Sequence, residues 1–204
     1  MIENKELKAE IVKNLEVYEK ISHLVEVLDE EVSTAVVNKV RNWCEINANG
    51  MFEVSNKNEY VFFDSRWQNN GELKAQYKVL YEDADQEMCY VSNLLNLDNS
   101  RISIAFFPVY SVLNMKKSDY QEAMRNVYAK LEKKWNEEHS DLLDKVKLSD
   151  TGYEFKIYFR VDKQSLINSI LEGNFESCLE PLEDALEVCK KFNPYANEVL
   201  ASMK

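Results

Sequence analysis

The chain has little of what bends or frees a backbone: of its 204 residues, four are glycine and three are proline. That scarcity excludes long flexible linkers, collagen-like repeats and low-complexity architectures. Histidine occurs twice (His23, His139) and cysteine four times (Cys44, Cys89, Cys178, Cys189). No pair of cysteines forms a CxxC, and four in a chain of this length make no disulfide framework. A zinc site needs clustered Cys and His ligands, and none are clustered here. The thiols are therefore expected to be buried and reduced. No stretch approaches the ~18 consecutive apolar residues of a membrane span. Glu3, Glu6, Glu10, Glu16 and Glu19 give an opening too acidic for a secretory or transit segment. A cytoplasmic location without a membrane partner is the expectation.

The strong catalytic signatures are also missing. There is no GxxxxGK[ST], no GxGxxG after a strand, no GxSxG and no HExxH. His139-Ser140-Asp141 contains triad residue types, but neighbours on a helix diverge and a triad must converge. No cofactor is expected. What the chain does have is charge: formally −11, with 45% hydrophobic and 30% charged residues. This is the profile of one acidic globular domain, or one domain with an appendage. The acidic balance argues against a nucleic-acid ligand.

Residues 2–48 contain neither glycine nor proline, and their pattern is helical. Leu7, Ile11, Tyr18, Ile21, Val25, Leu28, Val32 and Ala35 follow the alternating three-and-four spacing of a coiled-coil seam. Asn14 sits within the seam, and Lys39 ends it. A second apolar line runs through Leu15, Val36, Val40 and Trp43. One helix of this length would span ~68 Å, so it must bend back, pair with another chain or break. The acids Asp29-Glu30-Glu31 suit the first turn of a second helix and mark the expected break. A helical hairpin and a dimerisation arm, the latter using Leu7 through Val32, both fit. Residues 1–48 are read as an N-terminal helical arm and 49–204 as the main domain.

From Met51 the period changes to two. Met51–Ser55 and Tyr60–Asp64 flank Asn56-Lys57-Asn58 as a hairpin. Leu73–Tyr81, Met88–Ser92 and Arg101–Phe107 read as further strands, with Pro108 ending the last. Ser118-Asp119 suggests the cap of a helix reaching about Lys147, its apolar face formed by Tyr120, Met124, Val127, Leu131, Trp135, Leu142 and Val146. Tyr153–Asp162 alternates cleanly as a strand, and helices follow at about 163–172 and 174–192. The order predicts an α+β fold with a mostly antiparallel sheet of five or six strands.

Three charged constellations stand out. Glu154 and Lys156 share one strand face, and a carboxylate beside an ammonium can position a metal and a water for phosphodiester attack. Asp64 is the carboxylate that would complete such a nuclease-like site. Lys74, Lys78, Lys156 and Arg160 would form a local basic face with Tyr158 as a stacking surface. Finally, Glu172, Glu176, Glu180, Glu183, Asp184 and Glu187 recur at helical spacing beside an apolar seam (Leu171, Phe175, Cys178, Leu182, Ala185, Cys189, Phe192). No basic residue lies between Lys163 and Lys190. Like charges held at i,i+4 cost stability, which points to a solvated face kept for a basic protein partner. Glu82, Asp83, Asp85 and Glu87 form a second acidic patch without the loop grammar of a Ca²⁺ site.

The charged helix ending in Trp43, the aromatic stretch Tyr60-Val61-Phe62-Phe63-Asp64-Ser65-Arg66-Trp67 and the strand Arg101–Phe107 before a helix carrying Trp135 have a family counterpart. Together they resemble the C-terminal accessory region that follows the nuclease core in some PD-(D/E)XK-like prokaryotic proteins. The resemblance spans residues 1–145 and does not include the catalytic core. It implies an accessory or recognition role in prokaryotic or phage conflict systems. The expectation is thus a non-catalytic, acidic interaction module, regulatory, inhibitory or accessory, that forms a homodimer. The alternative is a metal-dependent phosphodiesterase using Glu154, Lys156 and Asp64.

Overall fold

The computed structural model describes residues 12–47, 50–69, 72–82, 90–97, 100–138 and 140–203. Helix α1 (Leu15–Asn42) runs 28 residues without a break. Glu16 in its first turn and Lys39 and Arg41 in its last complement the helix dipole. It continues into a π turn at Trp43–Asn47, which turns Trp43 and Cys44 into the core. The expected break at Asp29-Glu30-Glu31 does not occur, and no hairpin forms within α1. Its length is accommodated because about half of it projects from the body.

The strands are β1 (Phe52–Val54), β2 (Val61–Asp64), β5 (Ala75–Glu82), β6 (Arg101–Pro108), β7 (Val146–Leu148) and β8 (Phe155–Phe159), with β3 (Gln68–Asn69) and β4 (Glu72–Leu73) as a small separate ladder. The main sheet has the order β1-β2-β5-β6-β8-β7, and every pairing is antiparallel. The expected α+β architecture with a six-stranded antiparallel sheet is what forms. The longest pairing, β5 with β6, runs from Ala75 opposite Pro108 to Glu82 opposite Arg101. Pro108 closes its strand because it has no N–H to extend the ladder.

Three elements differ from the sequence reading. Residues 90–92, part of the strand expected at Met88–Ser92, of which residues 88 and 89 lie outside the described residues, instead belong to the short helix α2 (Tyr90–Leu94). Its N-terminus is capped from afar: the Asp29 carboxylate of α1 accepts from Tyr90 N at 2.9 Å and Val91 N at 3.1 Å. Local periodicity carries no trace of a cap sixty residues away. Removing it in Asp29→Ala should cost about 1 kcal/mol in urea unfolding, while Asp29→Asn, which keeps an acceptor, should cost far less. Equal stability of the two variants would refute the cap. Second, helix α3 (Lys117–Glu137) stops ten residues early. The chain then makes the short helix α4 (Leu142–Lys145) and strand β7, so that Val146 lies opposite Ile157 and the sheet gains an edge ladder. Third, after α5 (Lys163–Glu172), capped by Gly173 in the left-handed region, the last helix α6 occupies Glu180–Ser202. It begins later and ends later than expected, with Pro181 in its first turn.

Alternation gives the sheet one helix-covered face. Phe52, Phe62, Tyr77, Phe106 and Phe155 point to it, and α1, α3 and α6 pack there. Trp43 meets Phe52 at 5.4 Å and Phe62 at 6.1 Å between ring centroids. Phe192 of α6 meets Phe106 at 5.6 Å and Phe155 at 5.3 Å. Tyr128 of α3 lies 5.8 Å from Phe155, and Trp135 lies 6.1 Å from Phe192. Most of the aromatic residues are spent on this core. The face opposite, bearing Lys78, Leu80, Ser103, Ala105, Phe107, Lys156 and Tyr158, is the open face, and Tyr120 of α3 reaches its edge beside Phe107.

Candidate interaction surface

Beyond the body, α1 exposes apolar side chains in quantity. Leu24 is 65% exposed, Val17 54% and Ile21 50%, and Leu15, Val25 and Val27 are exposed as well. At 100° per residue, Val17, Ile21, Leu24 and Val25 lie on the same stripe as Val32 and Val36, which are fully buried against the body. Leu28, half-buried, marks the boundary. The stripe therefore does not end where the body ends, and from Val25 back to Val17 it continues for about 12 Å. An isolated helix of this length is marginal in water, so the arm needs a surface to lie on.

Of the residues expected to form a dimerisation seam, Ile21 and Val25 are exposed on the arm. Val32 is enclosed in the chain's own core. Leu7, Ile11 and the side chain of Tyr18 lie outside the described residues. Val17 and Leu24, which widen the stripe, were not singled out by the heptad pattern. Their seven-residue spacing beside the seam was the available signal.

The acidic stripe is divided among three elements rather than lying on one helix. Glu172 ends α5, Glu176 stands in the connection, and Glu180, Glu183, Asp184 and Glu187 belong to α6. Half of it is answered within the molecule. Lys39 of α1 pairs with Glu183 at 2.7 Å and Glu176 at 3.3 Å. Burial of the Lys39 stem opposes its charge, but the two carboxylates more than offset this and raise its pKa. Trp43 Nε1 donates to Glu187 at 2.8 Å. Glu172, Glu180 and Asp184 have no ion pair among the described residues. Asp83, Asp85 and Glu87 of the second acidic patch lie outside the described residues.

The Glu154-x-Lys156 pair forms, at 3.2 Å, on the open sheet face. Lys156 also pairs with Glu82 of β5. Burial opposes the Lys156 charge, and the hydrogen bonds it donates to both carboxylates outweigh this and raise its pKa. Because β6 lies between β5 and β8, the Lys156–Glu82 pair crosses over the middle strand. This explains why Ser103 and Ala105 beneath it are fully buried. Asp64 is not brought to this site. It lies on the helix-covered face, since it shares the side of Phe62, and it is three strands away, roughly 14 Å at normal strand spacing. There it is fully buried and bonded to Arg66 and Asn193. Among the described residues no group of three or more His, Cys, Asp and Glu side chains is placed to hold a metal.

The proposed basic face fares in part. Lys78 and Lys156 share the open face on either side of Ala105, but β5 and β8 do not pair directly. Arg101 lies 5.8 Å from the Tyr158 ring centre, so that ring already carries a cation. Cys44, Cys178 and Cys189 are buried free thiols; burial pushes the Cys44 thiol up to about 12, so it stays protonated and unreactive. Cys89 and His139 lie outside the described residues. Among the described residues no helix is long and apolar enough to cross a membrane. Comparison with protein-family models, with curated proteins and with solved structures returns no match.

Proposed function

We propose that this chain is a non-catalytic interaction module whose projecting helix pairs with the same helix of a second copy. One observation carries the reading: the apolar stripe that is buried at Val32 and Val36 continues, exposed, along the arm from Val25 to Val17. Contiguous exposed apolar surface of this kind marks an interaction site. Two such stripes are self-complementary when laid side by side, with Ile21, Leu24 and Val25 facing their counterparts. Glu172, Glu180 and Asp184 then form a separate surface suited to a basic partner, which the assembled dimer would present twice.

The test is sedimentation equilibrium over a concentration series. The wild-type chain should approach twice its 23.9 kDa mass. The double variant Ile21→Glu, Leu24→Glu should remain at the single-chain mass while keeping its thermal midpoint, because neither side chain is part of the body's core. A wild-type chain that stays monomeric throughout the series would defeat the reading.

A further inference from the structure

On the open face of the sheet, where β6 runs out into residues 109–116, lies a cavity of 310 Å³. Its apolar floor is Leu80, Phe107 and Pro108, and its walls are Tyr110, Tyr120 and Tyr153. The tyrosine wall is fixed. Tyr120 is buried, donates its hydroxyl to the Tyr153 carbonyl at 2.6 Å, and has its ring 5.6 Å from Tyr110 and 5.9 Å from Tyr153. Lys117 Nζ stands 5.0 Å from the centre of the Tyr153 ring, whereas Tyr110 is 43% exposed. The Tyr153 hydroxyl is buried and has no hydrogen-bond partner among the described residues. A volume of this size is at the small end for ligand cavities.

Two charges of opposite sign complete the lining, Lys78 and Glu154. Lys78 has no ion pair among the described residues. Glu154 shares the Lys156 ammonium with Glu82, so two carboxylates divide one positive charge. Across β6 the residue level with Lys78 is Lys156, and Glu154 lies two residues further along, just before β8, which sets the two backbones roughly 12 Å apart. A simple anion entering here would meet Glu154, and a simple cation would meet Lys78. A ligand with a carboxylate and an ammonium on one carbon offers a charge to each.

We infer that this cavity binds a free α-amino acid with an apolar or aromatic side chain. Its carboxylate pairs with Lys78, its ammonium with Glu154, and its side chain lies over Leu80 and Phe107 against the tyrosine wall. This site is independent of the pairing of the arms. Calorimetric titration with L-phenylalanine and L-leucine tests it, beside 3-phenylpropionate and phenethylamine, which each lack one charge. The amino acids should bind about tenfold or more tightly than either truncated compound. Lys78→Met should lower L-phenylalanine affinity to the level of phenethylamine, and Glu154→Gln to the level of 3-phenylpropionate. Circular dichroism would verify that both variants remain folded. The inference is overturned if neither amino acid binds, if the truncated compounds bind as well, or if both folded variants bind L-phenylalanine unchanged.

Discussion

Trp43→Ala should destabilise the chain by roughly 3–5 kcal/mol, a large part of the stability of an ordinary domain. Trp43 is fully buried at the turn where α1 ends, and it joins three elements. Its ring packs on Phe52 of β1 and Phe62 of β2, and its indole N–H reaches Glu187 of α6. Alanine would leave a cavity at this junction and remove the donor from the Glu187 carboxylate. Trp43→Phe keeps an aromatic ring and loses the hydrogen bond, so it should cost considerably less. Urea unfolding of the three proteins separates these terms. A loss under about 1 kcal/mol for Trp43→Ala would mean that the junction is not part of the cooperative core.

Asp64→Ala should be almost as damaging, by about 3 kcal/mol, and should also change how stability responds to acid. The carboxylate is fully buried and accepts four hydrogen bonds. Arg66 supplies its backbone N at 2.9 Å, Nε at 2.8 Å and Nη2 at 2.5 Å, and Asn193 Nδ2 lies at 2.7 Å. Burial alone would raise the Asp64 pKa. The Arg66 and Asn193 hydrogen bonds more than offset that and hold it below the usual carboxylate value. A group whose pKa is lower when folded contributes stability that is fully present above its unfolded pKa, near about 4. That contribution is lost as the pH falls through the lower, native value. Wild-type stability should therefore drop on acidification below about pH 4 more steeply than that of Asp64→Ala, which has no such carboxylate to protonate. Parallel acid profiles for the two proteins would rule out Asp64 as a source of the acid sensitivity.

The role of Asp64 shows where sequence reasoning reached its limit. As a residue type at a strand end it was a fair candidate to join Glu154 and Lys156. The requirement for a shared metal is convergence, and convergence depends on which face each strand turns outward. Register decides that, and one sequence does not give the register between β2 and β8. The acidic stripe failed as a single helix for a related reason. Glu176, Glu183 and Glu187 have the right spacing, but Lys39 and Trp43, which answer them, lie more than 130 residues earlier in the chain. Asp29, read as the start of a helix, instead caps one whose N–H groups reach it only in the folded chain.

The amino-acid sequence by itself determined the fold class, the strands β1, β2, β5, β6 and β8, the buried face of α3 and the apolar seam of α1. Each of these rests on a period of 2 or 3.6 residues, which the chain writes locally through the burial each side chain requires. Tertiary structure alone decided the helix at Tyr90, the edge strand at Val146, the Lys156–Glu82 pair across β6 and the side of the sheet on which Asp64 lies. It also decided where the seam of α1 stops being core and becomes surface. These depend on contacts between residues distant in the chain, and packing, not periodicity, chooses which of the locally allowed arrangements can bury the apolar groups and pair the polar ones.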